Sequence, residues 1–361
     1  MLDPMSIVTF SDDADAIAAE LTQARGLSGT LPASGFVDER SEKHDDAGRD
    51  QRQLAGSDEA KEVVDERSEE HDADDQPTQR SGPVMLVSLT GFLDAGMVGE
   101  RATEHLLSRF EATRLATFDV DQLVDFRGKR TLMTFETDRW VDYHEPELVV
   151  DRLRDADGST FLFLHGVEPD LQWERVIAAI RLVLSKYGAG LVVGFHGIPL
   201  GVPHTRPLTL TPHGTRTGLI EDYMSLFGKA RVPASLAGLL EYRLGEVGFD
   251  AMGFSIHVPH YLTVSDYVPA AVYALAQVER VTGLNLDLES LGEAAAAAQR
   301  EVEEQAAESP EVQAIVRMLE EQYDKFAIRL GGHNVDAEAV DIPSADELAA
   351  EFERYLAQRG D

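Results

Sequence analysis

The sequence predicts an α/β fold built around a mostly parallel β-sheet. The first observation is that residues 84–90, 160–166 and 191–197 are short, uninterrupted apolar runs with the length of buried strands. The second is that amphipathic helical patterns follow the first two of these runs. Apolar strands alternate with amphipathic helices in this way when a parallel sheet is covered by helices on both faces.

The predicted body begins near residue 82 with two strand–helix units. In the first unit, the strand 84–90 is followed by a loop of small residues and by an apolar helical stripe from Val98 to Phe110. In the second unit, the strand 160–166 is followed by a stripe from Trp173 to Leu184. Three short runs between the units predict a small antiparallel addition: 131–137, 139–144 and 147–153.

Helices dominate the predicted C-terminal part of the chain. Three further elements complete the body, namely a helix at 234–247, a strand at 249–258 and a helix at 266–282. After Leu284 the composition shifts to Ala and Glu, which favour a helix over 287–307. Residues 309–311 (Ser-Pro-Glu) have the hydroxyl cap, first-turn proline and acid of a helix start. We therefore predict a helical hairpin or arm over 284–330.

Most of the negative charge lies at the two ends of the chain, whose formal net charge is −33. Residues 1–80 hold 21 acidic and 8 basic residues, for a net charge of −13. Residues 284–361 hold 19 acidic and 6 basic residues, again −13. Residues 81–283 carry the remaining −7, so we expect this segment to form the α/β body. Residues 331–361 are predicted to form a linker and a terminal amphipathic helix.

Residues 1–80 are predicted to form an acidic, largely disordered extension. Apart from a short helix at 11–24, this stretch has few aromatic or branched residues with which to build a core. The segment VDERSEKHD, beginning at Val37, recurs as VDERSEEHD from Val64 with eight of nine positions identical. A solenoid needs about three or more units with apolar faces, so the repeat indicates a duplicated disordered insertion.

Composition disfavours several classes of protein and partner. The chain has no cysteine, which excludes disulfides, thiolate metal sites and a cysteine nucleophile. No apolar run reaches the about 18 residues of a membrane-spanning helix, and the acidic N-terminus does not resemble a secretory signal. Without clustered Lys and Arg, neither nucleic acid nor an anionic membrane is an expected partner. We therefore expect a cytoplasmic protein.

Polar groups concentrate in four segments that follow predicted strands, at the sheet edge where α/β proteins bind ligands. The first is 91–96, where small residues leave backbone N–H groups accessible at a helix start. Asp94 in this loop either caps the helix or contributes to a pocket. The loop carries neither a GxGxxG dinucleotide fingerprint nor a GK[ST] phosphate loop.

The second and third segments offer carboxylates and a cation. Glu168 and Asp170 share one loop, where they provide acid–base chemistry in a pocket or cap the helix that carries Trp173. The third segment is a long polar connection, 195–217, that contains His204 and Arg206, and an arginine is suited to anion binding. A connection of this length is expected to form either a ligand or partner site, or a structural crossover.

The fourth segment closes a predicted strand with two histidines. His257 and His260 flank Pro259, and two histidines form a zinc site only with a third ligand. We expect a satisfied structural pair rather than a metal site. The chain also lacks the GxSxG elbow of serine hydrolases. No metal and no cofactor are predicted.

The four segments, taken in order, resemble actinobacterial members of the proteasome assembly chaperone 2-like family. The motifs that carry the resemblance are GFLDAG (91–96), EPDLQWE (168–174), VPHTRP (202–207) and HVPHY (257–261). The helices that follow, with EEQYDKF at 320–326, are similar to the C-terminal part of that group. The resemblance spans residues 82–326.

The resemblance implies a three-layer α/β/α fold similar to nucleoside phosphorylases, and self-association. Eukaryotic and archaeal relatives act as chaperones that bind proteasome α-subunits, some of them through a C-terminal tail with a penultimate tyrosine. This chain departs from that pattern because it ends with Gln358, Arg359, Gly360 and Asp361, and Tyr355 lies further inside. Docking through such a tail is therefore not expected.

Two functions follow from these patterns. We expect a non-catalytic, self-associating protein that binds proteasome α-subunits. The alternative is a small-molecule enzyme or sensor that binds an anionic or nucleoside-like ligand at the C-terminal ends of the strands. Its pocket would be lined by Asp94, Glu168, Asp170, His204, Arg206 and His257. Convergence of these side chains in one concave pocket would favour the alternative, and scattered, backbone-capped positions would favour the first function.

Overall fold

The computed structural model of the chain describes residues 3–24, 82–91, 93–224 and 228–331. The predicted disordered insertion with its repeat, over 25–81, lies outside the described residues. The predicted linker and terminal helix, after residue 331, lie outside them as well.

One eight-stranded sheet forms the centre of the described fold. The strands are β1 (Val8–Phe10), β2 (Val84–Thr90), β3 (Thr113–Phe118), β4 (Met133–Glu136), β5 (Arg139–Tyr143), β6 (Leu148–Arg154), β7 (Thr160–Val167), β8 (Leu191–Leu200), β9 (Leu210–Gly214) and β10 (Ala251–Pro259). The order across the sheet is β1-β3-β6-β7-β2-β8-β10-β9, and β4 and β5 form a separate hairpin. The four central strands, β7, β2, β8 and β10, are parallel, and the strands that flank them pair antiparallel. The predicted α/β fold is confirmed, with antiparallel strands added on both sides of the parallel centre.

Helices cover both faces of this sheet. They are α1 (Ala14–Ala24), α2 (Val98–Arg109), α3 (Trp173–Tyr187), α4 (Leu236–Gly245), α5 (Val268–Thr282), α6 (Glu289–Glu308) and α7 (Pro310–Gly331). One apolar core lies between the sheet and α1, α3 and α4, and we call this side of the sheet the α3 face. A second core lies between the sheet and α2 and α5, on the side that we call the α5 face. The two cores produce the three layers that the family resemblance implies.

Residues 3–24 correct the predicted N-terminal boundary. The sequence analysis assigns all of 1–80 to one extension, yet β1 pairs antiparallel with β3 at the sheet edge. Ile7 and Ile17 are buried in the core of the α3 face. The side chain of Asp3 accepts a hydrogen bond from the N–H of Met5 and so caps the 3-10 turn before β1. The folded body therefore includes this N-terminal segment.

The predicted helical arm is present as α6 and α7. Ser309 separates the two helices, and its hydroxyl accepts a hydrogen bond from the N–H of Val312 at 3.3 Å. The buried apolar side chains of the two helices are Val302 on α6 and Val316 and Leu319 on α7. We refer to α6 and α7 together as the helical arm.

The connection predicted at 195–217 is partly strand. β8 continues to Leu200, and β9 pairs antiparallel with β10 at the edge of the sheet. Pro212 lies within β9, in register with Phe254. A proline is accepted there because an edge strand leaves one side of its backbone without ladder hydrogen bonds. The loop proper is therefore confined to residues 201–209.

Candidate functional site

Asp94 lies in the loop after β2 and caps α2. Its carboxylate accepts hydrogen bonds from the backbone N–H of Gly99 at 2.9 Å and of Glu100 at 3.1 Å. It also accepts one from the backbone N–H of Gly197 on β8, at 3.1 Å. Burial raises the pKa of Asp94, and the backbone hydrogen bonds oppose this rise. The carboxylate thus joins β2, α2 and β8 through backbone groups.

Glu168 directly follows β7 and serves the start of α4. Its Oε1 accepts the backbone N–H of Leu236, the first residue of α4, at 2.6 Å. A negative charge at this end of a helix is stabilised by the helix dipole. The side chain also packs over Gly91, where a Cβ atom would lie 2.4 Å from Oε2 of Glu168. Only glycine fits at position 91 in this arrangement.

Asp170 binds the segment that precedes the β4–β5 hairpin. Its Oδ1 pairs with Nζ of Lys129 at 2.8 Å, and its Oδ2 accepts the N–H of Asp125 at 2.8 Å. Partial burial alone would raise the pKa of Asp170, but the bonds from Lys129 and Asp125 lower it overall. Lys129 donates a further hydrogen bond to the carbonyl of Glu168 at 2.9 Å. These contacts fix two loops against each other.

Trp173 begins α3 and packs on the sheet. Its indole N–H donates to the carbonyl of Pro169 at 2.5 Å, and its ring lies against the core of the α3 face. The residue before it, Gln172, has a φ of 60°, in the left-handed region. Trp173 therefore closes a tight turn between β7 and α3.

His204 and His260 lie on either side of Tyr261. The Tyr261 hydroxyl accepts the backbone N–H of His204 at 2.9 Å and lies 2.7 Å from Nδ1 of the same residue. The ring of His260 meets the Tyr261 ring edge-on, with 5.4 Å between the centroids. Burial lowers the pKa of both histidines and raises the pKa of Tyr261 to about 12. The three rings are therefore uncharged near neutral pH.

Arg206 is bound by the helical arm. Its guanidinium forms two hydrogen bonds of 2.8 Å to the carboxylate of Asp324 and one of 3.1 Å to Glu320. The hydroxyl of Tyr323 donates to the carbonyl of Pro207 at 3.0 Å. Arg206 is predicted from the sequence to bind an anionic ligand, and in the structure the anions that it binds are carboxylates of α7. The loop 201–209 is thus attached to the arm by charge.

His257 lies within β10 and is fully buried, at 0% exposure. Its Nδ1 lies 2.8 Å from the hydroxyl of Thr209, and its Nε2 lies 2.8 Å from the hydroxyl of Thr211. Burial lowers the pKa of His257 to about 4. A neutral imidazole between two hydroxyls agrees with one half of the satisfied structural pair predicted for His257 and His260, whereas Nδ1 of His260 is buried without a hydrogen-bond partner among the described residues.

The predicted site residues are held by different sets of partners. Asp94 and Glu168 bind helix N-termini, Asp170 binds the loop before the hairpin, and His257 binds β9. Two pairs share a partner: Lys129 binds both Glu168 and Asp170, and Tyr261 contacts both His204 and His260. Within the described ranges, no group of three or more His, Asp or Glu side chains is placed to hold a metal ion.

An open groove of about 420 Å³ lies between the loop 201–209 and the helical arm. Its lining includes His204, Thr205, Glu303, Gln313, Val316 and Arg317. The lining combines an acidic side chain (Glu303), a basic one (Arg317) and apolar ones such as Val316.

The sequence analysis misses an apolar surface on the β4–β5 hairpin. Every residue of β4 and β5 is exposed. Phe135 and Trp140 pair across the ribbon with 5.1 Å between ring centroids, and they are 56% and 61% exposed. Met133 and Tyr143 also pair across the ribbon, beyond a register shift between Thr134 and Phe135, and we call these four exposed side chains together the hairpin face. The signal in the sequence is the apolar content on both strands of a ribbon that no helix follows.

One family model and several solved structures are similar to this chain. The PAC2 family model matches residues 88–306. A solved structure of a Mycobacterium tuberculosis protein of unknown function is 43% identical, covers 69% of this chain and 85% of its own, and has a TM-score of 0.68. A Corynebacterium glutamicum protein of unknown function is 34% identical, with coverages of 70% and 94% and a TM-score of 0.67.

A more distant structure shares the fold. It is a proteasome-assembly chaperone homologue of Mycobacterium tuberculosis, which is 23% identical, covers 64% of this chain and 99% of its own, and has a TM-score of 0.60. Comparison with curated proteins gives no match. None of the helices in the described part of the chain is long and apolar enough to cross a membrane.

Proposed function

The chain belongs to the PAC2 family, and on this basis we propose that it is a non-catalytic, self-associating protein that binds proteasome α-subunits. Membership of the family confirms the resemblance that the four loop motifs carry. It supports a role of the kind that eukaryotic and archaeal relatives perform, which is to bind subunits during assembly. The observation that carries the proposed self-association is the exposed apolar hairpin face, and the proposed binding of α-subunits rests on membership of the family.

The hairpin face has the composition of a protein–protein interface. Met, Phe, Trp and Tyr are enriched in the buried centres of interfaces, and all four occur here, at Met133, Phe135, Trp140 and Tyr143. A two-stranded ribbon is at best marginally stable in water when nothing packs against it. The hairpin forms its own sheet, apart from the main one. A partner that covers the hairpin face would therefore bury its apolar side chains and stabilise the ribbon.

We assign the hairpin face to a second copy of this chain. Most of the net charge of −33 lies in residues 1–80 and 284–361, and residues 81–283, which contain the hairpin, carry only −7. Residues 129–145 hold three basic and four acidic residues, so the hairpin is nearly neutral. Copies can meet there with little charge repulsion and with apolar side chains from both partners. Most soluble homo-oligomers are closed and symmetric, and one self-complementary face is sufficient for a dimer.

A non-catalytic role is supported by the state of the polar residues. Asp94 and Glu168 are occupied by backbone N–H groups, and Arg206 is occupied by two carboxylates of α7. Catalytic acids, bases and nucleophiles need to converge on one reacting centre. These side chains instead stabilise the connections between strands, helices and the arm.

Binding to α-subunits can be tested with purified components. The full-length chain is mixed with separately purified proteasome α-subunits and, as the matched control, with β-subunits from the same source. We expect size-exclusion chromatography with light scattering to show co-elution with α-subunits and none with β-subunits. Failure to co-elute with α-subunits, or equal binding of both subunit types, would contradict the proposed partner.

A further inference from the structure

The α3 face of the sheet becomes polar in the parts of β8, β9 and β10 that lie beyond the apolar core under α4. Strand residues alternate between faces, so β8, β10 and β9 each place every second side chain on the α3 face. At the start of these strands the face is apolar, with Val192 and Ala251 in the same core as Leu236 and Leu240 of α4. The next side chains on the same face are glycines, histidines and hydroxyls: Gly194, His196, Gly253, Ser255, Thr211 and His213.

The opposite face of the same strands remains apolar. Phe195 on β8 and Phe254 and Ile256 on β10 are buried in the core of the α5 face. Polar residues on the α3 face are therefore not a general property of this edge of the sheet. His196, Ser255 and His213 are partly exposed, so solvent reaches this group of side chains.

Two adjacent glycines make a flat floor on this face. Gly194 and Gly253 are neighbours in the register of β8 and β10. The ring of His213 lies across Gly253, where a Cβ atom would be 2.3 Å from Cε1 and 2.9 Å from Nε2 of the imidazole. At Gly194, no atom of the described residues lies within 4 Å of the place that a Cβ atom would take. The floor is thus half covered by an imidazole and half open.

Two histidines border this floor, and each has a defined hydrogen-bond partner. Nδ1 of His213 lies 2.7 Å from Oε2 of Glu241 on α4, so Nδ1 donates to this carboxylate and Nε2 faces the floor. Nε2 of His196 lies 3.3 Å from the hydroxyl of Ser255. Burial, together with the proximity of His213, lowers the pKa of His196 to about 4. A histidine with so low a pKa is a weak base at neutral pH, which favours recognition over proton transfer.

We propose that His196, His213 and Ser255, over the floor of Gly194 and Gly253, bind a planar, uncharged ring that carries both hydrogen-bond donors and acceptors. We expect the ligand to be planar because the glycine floor and the imidazole of His213 beside it are both flat. The absence of Lys and Arg from this group, and the pairing of His213 with Glu241, favour an uncharged ligand over an anion. Heteroaromatic amides and nucleobases have this chemistry, and we call the group the glycine-floor site.

The test uses the full-length chain and three probes, namely adenine, uracil and nicotinamide, with benzoate as a charged planar control. Binding is measured by ligand-observed NMR titration. Gly194→Leu fills the open half of the floor. Gly292→Leu is the matched control, because Gly292 on α6 also has no described atom within 4 Å of its Cβ position. We expect at least one uncharged probe to bind, to lose binding in Gly194→Leu and to keep it in Gly292→Leu.

A second variant keeps the test informative if Gly194→Leu does not fold. Ser255→Ala removes one hydroxyl from a partly exposed position, and we expect the affinity of the bound probe to fall by about fivefold, as for the loss of one hydrogen bond. The proposal is overturned if none of the uncharged probes binds or if benzoate binds more tightly than they do. It is also overturned if Gly194→Leu and Ser255→Ala both bind the probe as tightly as the unmodified chain. Equal loss of binding in Gly194→Leu and Gly292→Leu would also overturn it.

Discussion

At the scale of single residues, His257 is a titratable side chain that is part of the core. It is fully buried, both ring nitrogens contact threonine hydroxyls, and burial lowers its pKa to about 4. In an unfolded chain a histidine has a pKa of about 6.5. Between these values the unfolded chain binds a proton that the folded chain does not. The free energy of unfolding therefore falls as the pH falls from about 6.5 to about 4.

We predict that His257→Gln makes the protein less sensitive to acid. Glutamine keeps a donor and an acceptor for Thr209 and Thr211 but does not titrate. In the unmodified chain, His257 should account for a loss of about 2 kcal/mol in the free energy of unfolding between about pH 7.5 and about pH 5. Urea denaturation at both pH values measures this loss. The loss of unfolding free energy between the two pH values should be about 2 kcal/mol smaller in His257→Gln than in the unmodified chain. In His144→Gln the loss should equal that of the unmodified chain, since His144 is exposed.

Equal losses in His257→Gln and in the unmodified chain would show that the imidazole of His257 does not titrate as its burial requires. Such a result would place the acid sensitivity elsewhere, for example at His196, whose pKa is also lowered to about 4 by burial.

Sequence patterns predict where the polar residues of the site lie but not what they bind. The motif at 91–96 predicts that Asp94 follows a strand and precedes a helix, and the helix cap is a local consequence. Its bond to Gly197 joins residues 103 positions apart and depends on β8 lying beside β2. Arg206 is similar, because its partners on α7 are more than a hundred positions away. The spacing of residues within one segment does not predict hydrogen bonds between residues so far apart in the sequence.

At the scale of elements, α7 is attached to the body by the ion pairs of Arg206 and by Tyr323. Exposed ion pairs contribute little to global stability, at most about 1 kcal/mol each. Their effect is expected locally, because opening of α7 needs only these contacts and a small apolar seam to break. Val316 and Leu319 are the buried side chains of that seam.

We predict that Arg206→Asp speeds amide hydrogen exchange in α7 and changes the melting temperature little. The substitution replaces attraction by repulsion toward Asp324 and Glu320. Arg206→Asp combined with Asp324→Arg should restore part of the protection, because an ion pair can form again with reversed polarity. Arg317→Ala is the control, since Arg317 forms no ion pair among the described residues. Unchanged exchange in Arg206→Asp, measured by mass spectrometry, would refute this role.

The N-terminal elements offer a second test at this scale. Ile7 is 1% exposed in the core of the α3 face, whereas Met5 in the same turn is 46% exposed. We predict that Ile7→Ala lowers the free energy of unfolding by about 3 kcal/mol, because it removes buried methyl groups and leaves a cavity. Met5→Ala should change it by less than about 0.5 kcal/mol. Urea denaturation distinguishes the two, and equal effects would place residues 3–24 outside the core.

The long apolar strands and the amphipathic helices are the elements that the sequence predicts well. β2, β7 and the first half of β8 are apolar runs, and the helices that follow β2 and β7 have clear apolar stripes. β1 escapes prediction because it has three residues and pairs with β3, which lies far along the chain. β9 escapes it because Pro212 is typical of a loop and is accepted only at a sheet edge. Both strands form only because they pair with strands that are distant in the sequence, and a pattern read over a few consecutive residues does not include those strands.

At the scale of the whole molecule, charge and apolar surface act against each other. The net charge of −33 favours separate, soluble copies, and the hairpin face favours association. The sequence predicts one small antiparallel addition from the runs 131–137, 139–144 and 147–153, but only β4 and β5 form the hairpin, whereas β6 pairs with β3 and β7 in the main sheet. The exposure of the hairpin could not be predicted. Whether a ribbon lies on the sheet or projects from it depends on the packing of the complete fold. The exposure of the hairpin is the central feature of the proposed function.

The most direct test of that function is the mass of the protein in solution, measured by sedimentation velocity. Phe135→Ser with Trp140→Ser removes the centre of the hairpin face. Met224→Ser with Val264→Ser is the control, because it removes two apolar side chains that are 56% and 87% exposed elsewhere. We expect the unmodified and control chains to sediment as multiples of 39.6 kDa, and the hairpin variant to sediment as the 39.6 kDa monomer. A monomeric unmodified chain, or a hairpin variant that remains oligomeric, would contradict the proposal that this protein self-associates through its hairpin.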